Sequence, residues 1–407
     1  MEKDLAVFLT PFPSLLSSQE SRLLHGWVSY TSDLMISIPR KDNPYRTIFM
    51  PLALSAQGGG PGQPPENLAL LHGIYAMTAF NMAQQQPGLT SSYTRLGTKH
   101  HRLCLKHLRR SLSGQQGSQP DAILATIILM TTIDCFTGNW SAWRMHVQGG
   151  RQWLLSAWKG PWKQQHTASM LYQIFLMVEA VGTSAKVLHG VRNQASRPYG
   201  NDDSIFGMTE LQHGYQLDRL FGVTLPILEA IIHINYLGSR NTPPAQRELE
   251  NLRVKILLND PRALRLDGIA DETERKLLRH HAYVYYYACR IHYERVLYRV
   301  APRTIQHLVR GALEHLEAIA ALETNCNVTG LMWPVFVTAC EAEDETLYKS
   351  VSWFFGKGQK HGISGYSSAH KVLSEVWRRR DQQRGENKPD VRWQQVMADL
   401  GLDLLLT

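Results

Sequence analysis

The sequence contains no C-x-x-C cysteine pair, no run of about 18 apolar residues, and no alternating apolar–polar stretch bounded by hairpin turn pairs. Each absence excludes a class. Without close cysteine pairs, neither a structural zinc site nor a thioredoxin-type redox motif has support. Without a long apolar run, no bilayer-crossing helix is expected. The stretch Leu5–Leu9 is short, is followed by Pro11 and Pro13, and has no small-residue cleavage site, so it does not read as a signal peptide. Five cysteines, Cys104, Cys135, Cys289, Cys326 and Cys340, lie far apart in apolar sequence. They are expected to be reduced, buried thiols of a cytosolic or nuclear protein.

Catalytic signatures are equally sparse. There is no H-E-x-x-H, and Gly362-Ile363-Ser364-Gly365 falls one residue short of a nucleophile elbow. Gly356-Lys357-Gly358 is only a fragment of a dinucleotide fingerprint. The breaker run Gly58–Gly62, followed by Pro64-Pro65, lacks the Lys-Ser/Thr of a phosphate cradle and reads as a loop.

What remains is ordinary globular composition with a helical pattern. The chain has 407 residues, 43% hydrophobic and 19% charged, enough for one large or two ordinary domains. Its net charge of +8 favours anionic partners, although Lys and Arg are spread along the chain. The densest run, Arg378-Arg379-Arg380, reads as the solvated last turn of a helix. Ser18 is placed to cap a first helix ending before Pro39, and Asn43-Pro44 to open a second through Leu54. Helical spacing continues over Glu66–Gln85, Tyr93–Leu112, Ala122–Phe136, Trp143–Trp158 and Thr167–Leu188. Further on it covers Leu217–Leu237, Ala245–Leu257, Glu272–Tyr298, Thr304–Thr324, Leu331–Phe354, Ser367–Arg379 and Val391–Asp399. In Tyr93–Leu112 an apolar stripe (Leu96, Leu103, Cys104, Leu108) alternates with Lys99, Arg102, Lys106, Arg109 and Arg110. The predicted fold is therefore all-α: a large multi-helix bundle or superhelical array without significant β-sheet. Residues 1–17 form an N-terminal segment and 18–407 a single helical domain, with a polar stretch at 192–207 as its best subdomain break.

Three groups are candidates for chemistry. His100, Cys104 and His107 share a helix face, but no fourth ligand is marked, so they read as two surface histidines beside a core cysteine. Glu341 and Glu345 would share a face if the helix ran on past them, as acid/base partners do; the plainer reading is a polar surface turn. Tyr283 and Tyr286, with Arg290, lie on one face of a tyrosine-rich helix that suits core packing or the wall of a ligand pocket.

Four stretches carry a family resemblance. They are Asn43-Pro44-Tyr45-Arg46 with Leu70–Phe80; Asp121–Thr126 with Trp143–Arg151; Trp333–Ala342; and Val376–Arg380 with Trp393–Leu402. In this order the chain resembles the fungal-specific transcription factor domain of the second type, over roughly residues 20–403. That domain is usually the regulatory region downstream of a six-cysteine zinc cluster. The resemblance implies an all-α fold, a nuclear location and control of transcription by RNA polymerase II, perceiving a metabolite or contacting other regulators. It supplies no catalytic residues, metal or cofactor. No cysteine precedes Cys104, so a zinc cluster and direct sequence-specific DNA binding are not expected of this chain. Expected partners are other transcription regulators or a zinc-cluster factor, with a small-molecule effector and a homodimer compatible; no membrane partner is expected. The expected gene set is metabolic or secondary-metabolic. Within this reading Trp333 marks a central helix that Pro334 begins or bends, and Trp333, Pro334, Glu341, Tyr283 and Tyr286 are the pocket or core candidates. The competing reading is a helical enzyme or accessory protein of a fungal biosynthetic pathway, which needs polar groups converging in a deep pocket.

Overall fold

The computed structural model describes residues 17–55, 64–113, 119–140, 142–157, 162, 165–186, 214–266, 268–322, 330–383 and 390–407. The Gly58–Gly62 loop, the 192–207 break and Cys326 lie outside them. Among the described residues every regular element is helical and none is a strand, so the all-α expectation holds.

By contact density the chain divides into two compact units, residues 1–35 with 42–129 and residues 36–41 with 130–407. The first holds α1 (Ser18–Gly26), α2 (Met50–Leu54), α3 (Pro65–Gln85), α4 (Thr90–Ser113) and the first half of α5 (Pro120–Thr137). Ser17, not Ser18, caps α1: its hydroxyl accepts from Glu20 N–H while the Glu20 carboxylate accepts from Ser17 N–H. α1 stops at Gly26 and gives way to a π-turn, Trp27–Thr31. A second π-turn, Tyr45–Phe49, precedes α2. Pro51 explains that widening, because it has no N–H for the usual bond back to residue 47. α3 and α4 form the main pair of this unit. Gly97 allows their close approach, since a Cβ there would stand 2.8 Å from the Phe80 ring.

α5 is buried almost all round, with Ala122, Leu124, Ala125, Ile128, Leu129 and Met130 at 0% exposure. It is long and apolar enough to cross a membrane by length and composition, but 83% of it is buried inside the protein.

The second unit holds the rest of α5, then α6 (Trp143–Ala157), α7 (His166–Ser184), α8 (Leu217–Leu220), α9 (Leu225–Ser239) and α10 (Gln246–Leu258). These are followed by α11 (Glu272–Val296), α12 (Gln306–Leu322), α13 (Met332–Cys340), α14 (Glu345–Lys360), α15 (Ser364–Gln382) and α16 (Trp393–Asp399). α11 is the axis of the unit and packs against α9, α12 and α13. Two predicted helices are each split. Leu217–Leu237 breaks at Gly222, whose φ of +82° suits only glycine and whose added Cβ would lie 2.3 Å from His281 Cβ. Leu331–Phe354 breaks after Cys340, the last residue of α13, because Asp344 caps a new helix by accepting from Thr346 N–H. The chain end Leu404–Leu406 is buried, held by Trp143 Nε1–H donating to Asp403 O and by the Cys135 thiol on Leu405 O.

Candidate functional site

α13 is apolar over nearly its whole length and buried at every position. At nine residues it is too short to be stable alone, so its surroundings hold it. Pro334 stands in its first turn, where a missing N–H costs nothing; it begins the helix rather than bending it. The carbonyls at the far end are met by side chains of neighbouring elements. Trp377 Nε1–H donates to Ala339 O at 2.9 Å, Arg380 donates to Cys340 O, and Gln306 Nε2–H donates to Glu341 O at 2.7 Å.

Trp333 lies at the centre of a polar thread through an apolar core. Its indole N–H donates to Ser184 Oγ at 2.8 Å, and its ring stacks on Tyr285 (6.3 Å, 19°) and meets His292 edge-on (5.6 Å, 79°). His292 Nε2 lies 2.7 Å from Asn235 Oδ1, and Asn235 donates in turn to Ala180 O and Thr183 Oγ1. Burial pushes the His292 imidazole down to about 3, so it is neutral and Nε2 carries the proton given to Asn235. Tyr285 donates to Gly330 O at 2.7 Å, and burial raises its phenol.

One turn further along α11 the chemistry becomes ionic. Glu341, at the end of α13, is 2% exposed, and its Oε2 lies 2.8 Å from both Arg295 of α11 and Arg380 of α15. Arg295 also reaches Asp390 at 2.6 Å, and Arg392 stands 3.8 Å from the same carboxylate. Burial opposes the Arg295 charge, but Glu341 and Asp390 outweigh it and hold the guanidinium above its ordinary value. Burial, then the Arg295 charge, lowers Arg392. Three guanidiniums and two carboxylates therefore tie α11, α13, α15 and the segment before α16 together. A cavity of about 10 Å³, lined by His292, Arg295, Val337, Glu341, Arg392 and Trp393, joins this cluster to the polar thread. That is room for about one water molecule, so a metabolite would have to open the site to enter.

The structure places Trp333 and Pro334 on α13 and Glu341 just past its last residue, but leaves Tyr283 and Tyr286 apart from them. Tyr283 stacks on His315 (4.1 Å, 7°) at a half-exposed seam between α11 and α12, beside the His280–His315 contact of 2.8 Å. Tyr286 is buried with Arg290 over its ring. Tyr285, from the same tyrosine run, is the one that faces Trp333; its spacing of seven and ten residues to His292 and Arg295 marks a shared helix face. Two other expectations are corrected. Glu341 and Glu345 do not share a face, because the helix ends between them: Glu341 is buried and ion-paired, whereas Glu345 is exposed in the first turn of α14. In the basic run Arg378 is solvated and paired with Glu375, but Arg380 turns inward to Glu341.

In the first unit His100 is buried at 2% exposure rather than lying on the surface, with Nδ1 3.0 Å from His72 Nδ1 and its ring against Tyr75. Burial pushes His72 down to about 4 and also lowers His100 and His107. Cys104 is a buried thiol raised by burial. Among the described residues no three His, Cys, Asp or Glu side chains are placed to hold a metal ion.

The fungal specific transcription factor domain matches residues 22–407, nearly the whole chain. The chain belongs to that family. Among curated proteins, "Arginine metabolism regulation protein II" of Saccharomyces cerevisiae is 20% identical over 490 residues, covering 95% of this chain and 55% of that protein. The chain thus spans about half the length of the curated relative it matches. No solved structure matches it. The Trp333 helix and the Arg380 turn both fall inside the matched region.

Proposed function

We propose that this chain is a regulatory module for transcription in the nucleus, acting by contact with other regulators or with a small effector, on a metabolic gene set. The observation that carries the reading is the family match over residues 22–407, supported by the similarity to a protein named for arginine metabolism regulation. The core around α13 suits this role physically. His292, neutral and edge-on to the Trp333 ring, lines a water-sized cavity together with Arg295, Glu341 and Arg392 of the ionic cluster, so a modest rearrangement of α11, α13 and α15 would exchange many buried polar contacts at once. An effector would act by favouring one of two such arrangements, in proportion to its differential affinity. An enzyme reading gains nothing from Glu341, whose carboxylate is already taken by two guanidiniums.

The test fuses the chain to a heterologous DNA-binding domain over a fungal reporter gene. Trp333→Phe and Glu341→Gln, chosen to keep ring and shape, are expected to change reporter output per unit of accumulated protein, with the protein level measured in the same cells. Full output from both, or from a stably accumulated Trp333→Ala chain, would remove α13 from the regulatory role. No reporter response from the fused wild-type chain under any nitrogen or carbon source would remove the regulatory reading itself.

A further inference from the structure

We infer that the outer face of α4 is a sequence-independent binding surface for the phosphate backbone of duplex nucleic acid. α4 runs from Thr90 to Ser113 and contains no Asp or Glu. Its inner face (Tyr93, Gly97, His100, Cys104, Leu108) is buried. Arg95, Lys99, Arg102, Lys106, Arg109 and Arg110 are all exposed. Their spacing of four, three, four, three and one keeps them within about 100° of arc, and they extend over about 22 Å of helix with a charge every ~4.5–6 Å for most of that length. None of the six forms an ion pair with a described carboxylate, whereas arginines elsewhere in the chain commonly do. They are six of the eight Lys and Arg among the described residues of the first unit.

A surface helix normally interleaves charges of both signs, because a row of like charges repels itself. Here the repulsion is felt inside the protein: Lys99 adds to the lowering of His72 and His100, and Lys106 and Arg110 add to that of His107, each after the larger effect of burial. The carboxylate acting on His72 and His100 is Glu20, which is engaged with Ser17. A single partner that neutralises the whole row carries several negative charges over a comparable length. Duplex nucleic acid carries one negative charge per about 1.7 Å of axis, enough to set phosphates opposite the cations along the ~22 Å of the row. A lipid surface fits less well, since an interfacial helix needs an exposed apolar face and that of α4 is packed inward.

The experiment uses the full chain and a fluorescein-labelled 20-base-pair duplex, read by anisotropy between 50 and 300 mM KCl, with a second duplex of unrelated sequence. Five phosphate contacts give a slope of log K against log salt of about −4.5, equal for both duplexes. Lys99→Glu/Arg102→Glu/Lys106→Glu is expected to weaken binding at least tenfold and to reduce the slope to about −2 while leaving the helical circular dichroism unchanged. A charge-matched variant far along the chain, Lys349→Glu/Lys357→Glu/Lys360→Glu, is expected to bind as the wild type does. The inference is overturned by undetectable duplex binding at 50 mM KCl, by equal loss in both triple variants, or by α4-dependent binding to vesicles containing 30% phosphatidylserine without binding to duplex.

Discussion

Replacing Glu341 with Gln removes the one carboxylate shared by Arg295 and Arg380, both of which are largely buried. Breaking a buried ion pair from one side costs about 3–5 kcal/mol, because the opposite charge stays behind in a poorly solvating place. Two features push the expected value to the lower end: Arg295 keeps Asp390 at 2.6 Å, and Arg380 keeps its bond to Val391 O at 2.9 Å. About 3 kcal/mol remains. At about 2–4 °C per kcal/mol for a unit of this size, the melting temperature should fall by about 6 °C or more. Thermal melts followed by far-ultraviolet circular dichroism at pH 7.5 read this directly, with Glu345→Gln as the exposed control that should not move. The double variant Glu341→Gln/Arg380→Met should recover part of the loss, since the two sites share one interaction and will not add. A fall of less than about 2 °C for Glu341→Gln, or strict additivity in the double variant, would show that this cluster does not hold α13 in place.

Other perturbations probe neighbouring parts of the same core. Ser184→Ala strands the Trp333 indole N–H in the interior and should cost about 1–3 kcal/mol in urea denaturation, whereas Trp333→Phe, which removes the donor itself, should differ from it by leaving no unpaired donor. His292 and His281 are buried and pushed down to about 3 and about 4, below the ordinary value of 6.5. The unfolded chain therefore binds their protons first, and stability that is fully present above pH 6.5 is lost as pH falls toward 4. At pH 5 each histidine accounts for about 2 kcal/mol of that loss, and His292→Gln should flatten the fall measured by urea midpoints between pH 7 and 5. Gly222→Ala should destabilise by more than about 2 kcal/mol, because it adds a clash with His281 to the strain of a positive φ. Gly268→Ala, at a similar φ in open space, should show the strain alone in the same melts.

Periodicity made the helices legible wherever an apolar face runs unbroken, as in α3, α5 and α11. It failed where tertiary contact decides the break. Nothing local at Gly222 announces that the chain must press against His281, and the acidic stretch Glu341–Glu345 looks helical until Asp344 caps a new start. The candidate site was partly legible for the same reason. Trp333, Pro334 and Glu341 fall within nine residues of one another in sequence, so the motif that marks the family also marks α13. Their partners come from far away: Ser184 is 149 residues from Trp333, and Arg380 is 39 residues from Glu341. A basic run is usually solvated, and Arg378 follows that rule, while Arg379 is half-buried between Glu375 and Asp399. Only the shape of the fold turns Arg380 inward.

The way α13 is finished bears on how the molecule must be made. Its closing carbonyls accept hydrogen bonds from Trp377 and Arg380, which leave the ribosome some forty residues later. A nine-residue coil cannot persist by itself in water, so this element cannot settle during synthesis until the downstream arm has emerged. A nascent chain halted near position 370 should therefore carry the Trp333 indole in a wet, unsettled setting, and a chain whose first 395 residues have cleared the exit tunnel should not.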